Sequence, residues 1–86
     1  NDEQADIIDE LQKRGIFLPD ADEASMKGVE MAVKRGWHVS FPDWEDCKDV
    51  GDALTKYGRL FTIRSILEST VSNSTKIQVL ARKYCK

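Results

Sequence analysis

Long hydrophobic runs are missing from this chain. No apolar stretch in its 86 residues approaches the roughly 18 consecutive positions of a membrane-crossing helix. Histidine occurs once, at His38, and cysteine twice, at Cys47 and Cys85, so no His/Cys cluster with zinc spacing exists. Two isolated cysteines in such a composition read as free thiols, although a pair between them is open in principle. There is no glycine-rich phosphate loop, no internal repeat and no low-complexity segment. An excess of positive charge is also missing: 13 Lys and Arg stand against 15 Asp and Glu, a net charge of −2. Lys27, Lys34, Arg35, Lys48, Lys56, Arg59 and Arg64 can contact phosphate, but in a net-negative chain scattered surface charge is the default. Asn1-Asp2-Glu3-Gln4 is acidic and lacks Met, which does not fit a signal peptide and suggests a domain cut from a longer chain.

What is present is soluble, cytoplasmic chemistry: 33% charged and 41% hydrophobic residues. The length allows a single small domain, 1–86, with a modest core. Residues 2–14 read as a helix. Ile7, Ile8 and Leu11 share one face, acids crowd the N-terminal part, and Lys13-Arg14-Gly15 forms a basic end with a glycine stop. Residues 16–18 are predicted to be a short strand. A second helix over about 23–35 buries Met26, Val29 and Val33, with Ala32 beside them, and ends at Gly36. Trp37-His38-Val39-Ser40-Phe41 alternates as a half-buried strand and stops at Pro42.

A polar loop over 43–49 follows, holding Trp44 and the acids Asp43, Glu45, Asp46 and Asp49; Trp37 and Trp44 read as core or half-buried anchors. A third helix carries Val50, Ala53, Leu54 and Tyr57 and ends at Gly58. A fourth, about 60–69, turns Leu60, Ile63, Ile66 and Leu67 inward. The polar run Ser69–Ser74 breaks it. Ile77, Leu80, Ala81 and Tyr84 mark a fifth helix, with Ile77-Gln78-Val79 as an alternative edge strand. Two strands joined by a helix make a βαβ unit with a parallel pair, followed by additional C-terminal helices. The predicted fold class is α/β. Two strands alone make a poor sheet, so part of a larger α/β domain is expected.

The chemistry concentrates at Asp20-Ala21-Asp22, directly after the first strand. Both carboxylates can project from one side of the strand's C-terminal end, the edge where open α/β sheets bind ligands. Asp49 and Asp52 follow the second strand, and parallel strands end on the same edge. Hard oxygen donors with room for water suit Mg²⁺, or Mn²⁺, which can hold the phosphates of a nucleotide or nucleic acid. The same residues have plainer uses, because Asp22 and Asp49 can each simply cap the helix that follows.

Ile16-Phe17-Leu18-Pro19-Asp20-Ala21-Asp22, Lys27-Gly28, Gly36-Trp37-His38-Val39-Ser40-Phe41-Pro42 and Lys48-Asp49-Val50-Gly51-Asp52-Ala53 together resemble a Toprim domain, its C-terminal part in particular. The Lys48–Ala53 segment, with Lys56-Tyr57-Gly58-Arg59-Leu60 after it, is most similar to the Toprim DNA primases of T4-like bacteriophages. The resemblance covers about residues 15–68. It implies metal-dependent synthesis of RNA primers from ribonucleotides on single-stranded DNA, in the host cytoplasm. Asp20, Asp22 and Asp49 would be metal ligands, and Lys48, with Asp52, would lie at the phosphate or nucleic-acid contact.

This chain departs from the family pattern in three ways. The family's glutamate at the end of an earlier strand has no counterpart, since Glu3 and Glu10 lie in a predicted helix. Gly51 stands where related primases often carry Asp or Asn, and there is no template-binding zinc module. The chain therefore reads as incomplete for catalysis alone, needing the remainder of the Toprim domain. The alternative is a non-catalytic Toprim-like module that binds a replication partner such as a helicase; a nuclease or topoisomerase fragment fits the Lys48–Ala53 segment less well.

Overall fold

A computed structural model describes residues 2–47 and 49–85, with the side chain of Asp2 outside the description. Helix α1 (Asp2–Lys13) leads into strand β1 (Ile16–Phe17). A single 3₁₀ turn, Glu23–Ser25, opens into α2 (Met26–Lys34), and strand β2 (His38–Ser40) follows. Helices α3 (Val50–Tyr57) and α4 (Arg59–Glu68), strand β3 (Thr70–Val71) and helix α5 (Ser74–Tyr84) complete the chain. The class is α/β, as the alternation of elements predicts.

The turns follow backbone chemistry. Gly15 (φ 70°) and Gly36 (φ 74°) adopt the left-handed conformation that releases the chain from α1 and α2 into the two strands. The strands pair in parallel, Ile16 opposite His38 and Phe17 opposite Val39, with α2 as the crossover.

The sheet has a third strand that the sequence does not announce. β3 lies antiparallel to β2, with Val39 opposite Val71 and Ser40 opposite Thr70, so the order is β1-β2-β3. It falls inside the polar run expected to be plain loop, and two residues carry no readable period. The alternative edge strand at 77–79 does not form; those residues belong to α5.

Each face of the sheet has its own core, as strand alternation requires. On one face Ile16 joins Ile7 and Leu11 of α1, Trp44, Val50 and Ala53 of α3, and Ile66 of α4. On the other, Val39, with Phe17 packed against it, meets Val29 and Ala32 of α2 and Ile77, Ala81 and Cys85 at the C-terminal end. The stripes read for α1, α2, α3 and α5 face these cores.

Helix α4 is rotated somewhat from expectation, with Ile63 and Ile66 inward but Leu60 and Leu67 outward. Leu60 is 85% exposed and Leu67 43%, whereas Thr62 and Ile66 are fully buried. The rotation goes with polar contacts. The Trp44 indole N–H donates to Ser65 Oγ (2.6 Å), Ser40 Oγ donates to the Ile66 carbonyl (2.6 Å), and Thr62 Oγ1 donates to the Gly58 carbonyl (2.7 Å). In this orientation each of these buried groups has a partner, where an unpaired polar group in the core would cost about 1–3 kcal/mol. Cys47 and Cys85 are both free thiols.

Candidate metal site at the sheet edge

The first strand leaves the sheet through Leu18 and the buried Pro19 into a tight knot of hydrogen bonds. The Asp22 N–H donates to the Asp20 carbonyl (2.8 Å), an i to i+2 turn. The Asp20 N–H donates to Ser25 Oγ (3.0 Å), and the Ser25 N–H donates to Asp22 Oδ1 (3.0 Å). Asp22, extended at φ −143°, thereby caps the 3₁₀ turn that starts α2. After β2 the loop over 43–49 delivers Asp49, also extended, to the start of α3, where Asp49 Oδ1 accepts from the Asp52 N–H (2.9 Å). Both carboxylates are thus oriented by backbone donors. The plainer reading of Asp22 and Asp49 as helix caps holds in the structure, and it also fixes where their charges sit.

Those charges converge on Asp20. Its carboxyl is held above the ordinary aspartate range, first by partial burial and then by the negative charges of Asp22 and Asp49. The turn after β1 and the cap of α3 therefore bring Asp20, Asp22 and Asp49 into one electrostatic neighbourhood. Asp52 is exposed in the first turn of α3 and is not among the charges acting on Asp20. Lys48, expected at phosphate, lies outside the described residues.

The C-terminal end of α5 forms a further wall of this edge, which sequence reading did not assign to the site. The Cys85 thiol lies 3.8 Å from the Asp20 carbonyl as a weak donor. Burial raises its pKa, and Asp22 and Asp20 raise it further. Tyr84 stands edge-on to Phe41 with ring centroids 5.5 Å apart. Its phenol is pushed up to about 12, mainly by burial, then by Cys85, Asp20 and Asp43. A separation of 65 residues between Asp20 and Cys85 leaves no local signal for this contact.

Among the described residues, no three His, Cys, Asp or Glu side chains stand close enough to form a ready-made metal cage. A loosely held Mg²⁺, which keeps several waters and takes only one or two carboxylates together with substrate phosphate, would need fewer protein donors than such a cage. Asp22 and Asp49 each have one oxygen engaged by a backbone N–H. The ion pairs formed among the described residues, Lys56–Asp46 and Arg64–Glu68, include none of the three site acids. Comparison with protein-family models, with curated proteins and with solved structures found no match to this chain.

Proposed function

We propose that the chain is the metal-binding C-terminal part of a Toprim-type DNA primase catalytic domain, and that Asp20, Asp22 and Asp49 hold Mg²⁺ or Mn²⁺ there. The observation that carries the reading is the shared electrostatics of Asp20 and Asp22, after β1, with Asp49, the cap of α3. A bound divalent ion would neutralise phosphate charge and acidify an attacking hydroxyl. The chain's own part is to present carboxylates whose direction is set by the backbone donors at Ser25 and Asp52. Asp20, already reluctant to ionise, gains most from a nearby cation. The wider proposal covers ribonucleotide joining on a single-stranded DNA template in the host cytoplasm, completed by the remainder of the Toprim domain. Lys48 and Asp52 belong to it as the phosphate contact.

The absence of a ready-made three-ligand cage among the described residues favours a second reading, a Toprim-like module that binds a replication partner without catalysis. Paramagnetic Mn²⁺ separates the two. In two-dimensional NMR spectra of the wild type, substoichiometric Mn²⁺ should broaden the amides of 20–25 and 49–52 first. Asp20→Asn/Asp49→Asn should abolish that selectivity while keeping the fold, because Asn caps helices about as well as Asp. Equal broadening in wild type and variant would remove the metal reading and leave the binding module.

A further inference from the structure

The net charge of −2 conceals a division of charge across the sheet. Helices α1, α3 and α4 pack on one face, α2 and α5 on the other. On α1, Glu3, Asp6, Asp9 and Glu10 are exposed, with Lys13 closing the C-terminal end. On α5 the exposed charges are Lys76, Arg82 and Lys83, and the helix carries no acid. None of these groups takes part in the ion pairs formed among the described residues. Each surface also has an exposed apolar element. Val79, 49% exposed, lies on the outer side of α5, away from the buried Ile77 and Ala81, with the three cations around it. Beside the acids of α1, a notch of about 70 Å³ opens between α1 and α4. Glu10 stands on one wall and Leu67 on the other, and Leu60, two turns earlier on α4, continues the apolar wall into solvent.

We infer that α5 of one copy docks on the α1–α4 surface of a second copy, so that the chain associates head to tail. The inference goes beyond the proposed function and requires neither a metal nor a nucleic acid. The two surfaces match in spacing as well as in sign. Glu3 and Glu10 are seven residues apart, as are Lys76 and Lys83, and seven helical residues advance about 10.5 Å. With the two helices antiparallel, Lys76 meets Glu10 of the second copy and Lys83 meets its Glu3. Val79 then falls opposite Ile7, at the notch, where Leu67 can cover it. Lys13 falls opposite Asn73, so no cation is set against another. Because the two surfaces lie on opposite faces of the sheet, the contact is heterologous and every assembly keeps one free surface of each kind. The contact is small and its ion pairs are exposed, which places the association in the weak, salt-sensitive class.

The test is sedimentation equilibrium of the 86-residue chain at low salt, from about 1 μM to about 1 mM, the range of weak complexes. The weight-average mass should rise past twice that of the monomer, and should return to the monomer value in about 1 M salt, where charges are screened within about 3 Å. Glu3→Lys/Glu10→Lys and Lys76→Glu/Lys83→Glu should each stay monomeric at low salt, with the wild-type fold by circular dichroism. Mixed in equal amounts they should associate again, because the acids left on one variant meet the lysines left on the other and the two reversed surfaces also match. Val79→Ser, which leaves every charge in place, should weaken the wild-type association by about threefold. Four results overturn the inference: a wild-type monomer throughout the range, self-association of either charge-reversed variant as strong as that of wild type, no recovery in the mixture, or a mass that levels off at twice the monomer and ignores the charge changes. The last would mark a two-fold dimer through the exposed leucines of α4 instead.

Discussion

Asp20 is exposed enough to meet water yet close enough to two other carboxylates to resist losing its proton. Its raised folded-state pKa has a defined consequence for stability. Between the unfolded and folded pKa values the native chain binds more protons than the unfolded one, so stability falls as pH rises through that interval. The contribution is fully present below the unfolded value and is gone above the folded one. In chelator, Asp20→Asn should therefore melt at a higher temperature than wild type at pH 7, and the difference should vanish once the pH drops below the carboxylate range. Thermal melts by circular dichroism at both pH values check this; a lower melting temperature for the variant at pH 7 would show that the charge of Asp20 is compensated. The Asp-x-Asp pattern is legible in the sequence because strand alternation and capping preference are local. The repulsion from Asp49 depends on where the loop after β2 sets the start of α3, and the Cys85 thiol arrives through the fold rather than through any motif.

At the scale of elements, α2 shows what the close fit between helix and strand demands. Gly28 sits inside the helix, where a glycine ordinarily costs about 1 kcal/mol relative to alanine. It is retained against the ring of Phe17 on β1: a methyl group built at Gly28 overlaps the tip of that ring. Gly28→Ala should therefore destabilise the protein by about 1–2 kcal/mol net of the propensity gain, through overpacking. In a Phe17→Leu background the same exchange should become stabilising by up to about 1 kcal/mol. Urea unfolding of the four proteins gives the coupling, and a Gly28→Ala effect of the same sign in both backgrounds would rule out the clash.

This pairing was not readable from periodicity, which marks α2 as a helix without saying what its glycine faces. The stripes of α1, α2, α3 and α5 were readable because their buried positions are nearly all apolar. Helix α4 was readable only in half: Ile63 and Ile66 face the core as their hydrophobicity indicates, but Leu60 and Leu67 do not, and the inward side also includes Thr62 and Ser65, engaged with Gly58 and Trp44. β3 was missed because two residues, Thr70 and Val71, have meaning only against Val39 and Ser40.

Across the whole molecule, a thin three-stranded sheet separates two small cores, each too small to stand alone. Ile66 and Ile77 are fully buried on opposite sides of it. A domain of this length holds about 5–10 kcal/mol in total, so losing either core should unfold the other. The two tryptophans allow this to be read directly, since Trp44 lies in the core of α1, α3 and α4, while Trp37 packs against the core of α2 and α5. Truncating a buried isoleucine to alanine costs about 2–5 kcal/mol. Ile77→Ala should lower the urea midpoint reported by Trp44 alone, in a Trp37→Phe background, as much as the midpoint reported by Trp37 alone in a Trp44→Phe background. Ile66→Ala should do the same from the other side. The coupling runs through short connections that leave neither half free: β2 carries Val39 into one core and, one residue later, Ser40 toward the carbonyl of Ile66 beside the other. If Ile77→Ala shifts only the Trp37 transition, the halves unfold independently. The carboxylates of Asp20 and Asp49 would then be held together only while both halves are folded, and the site's geometry would melt with the weaker one.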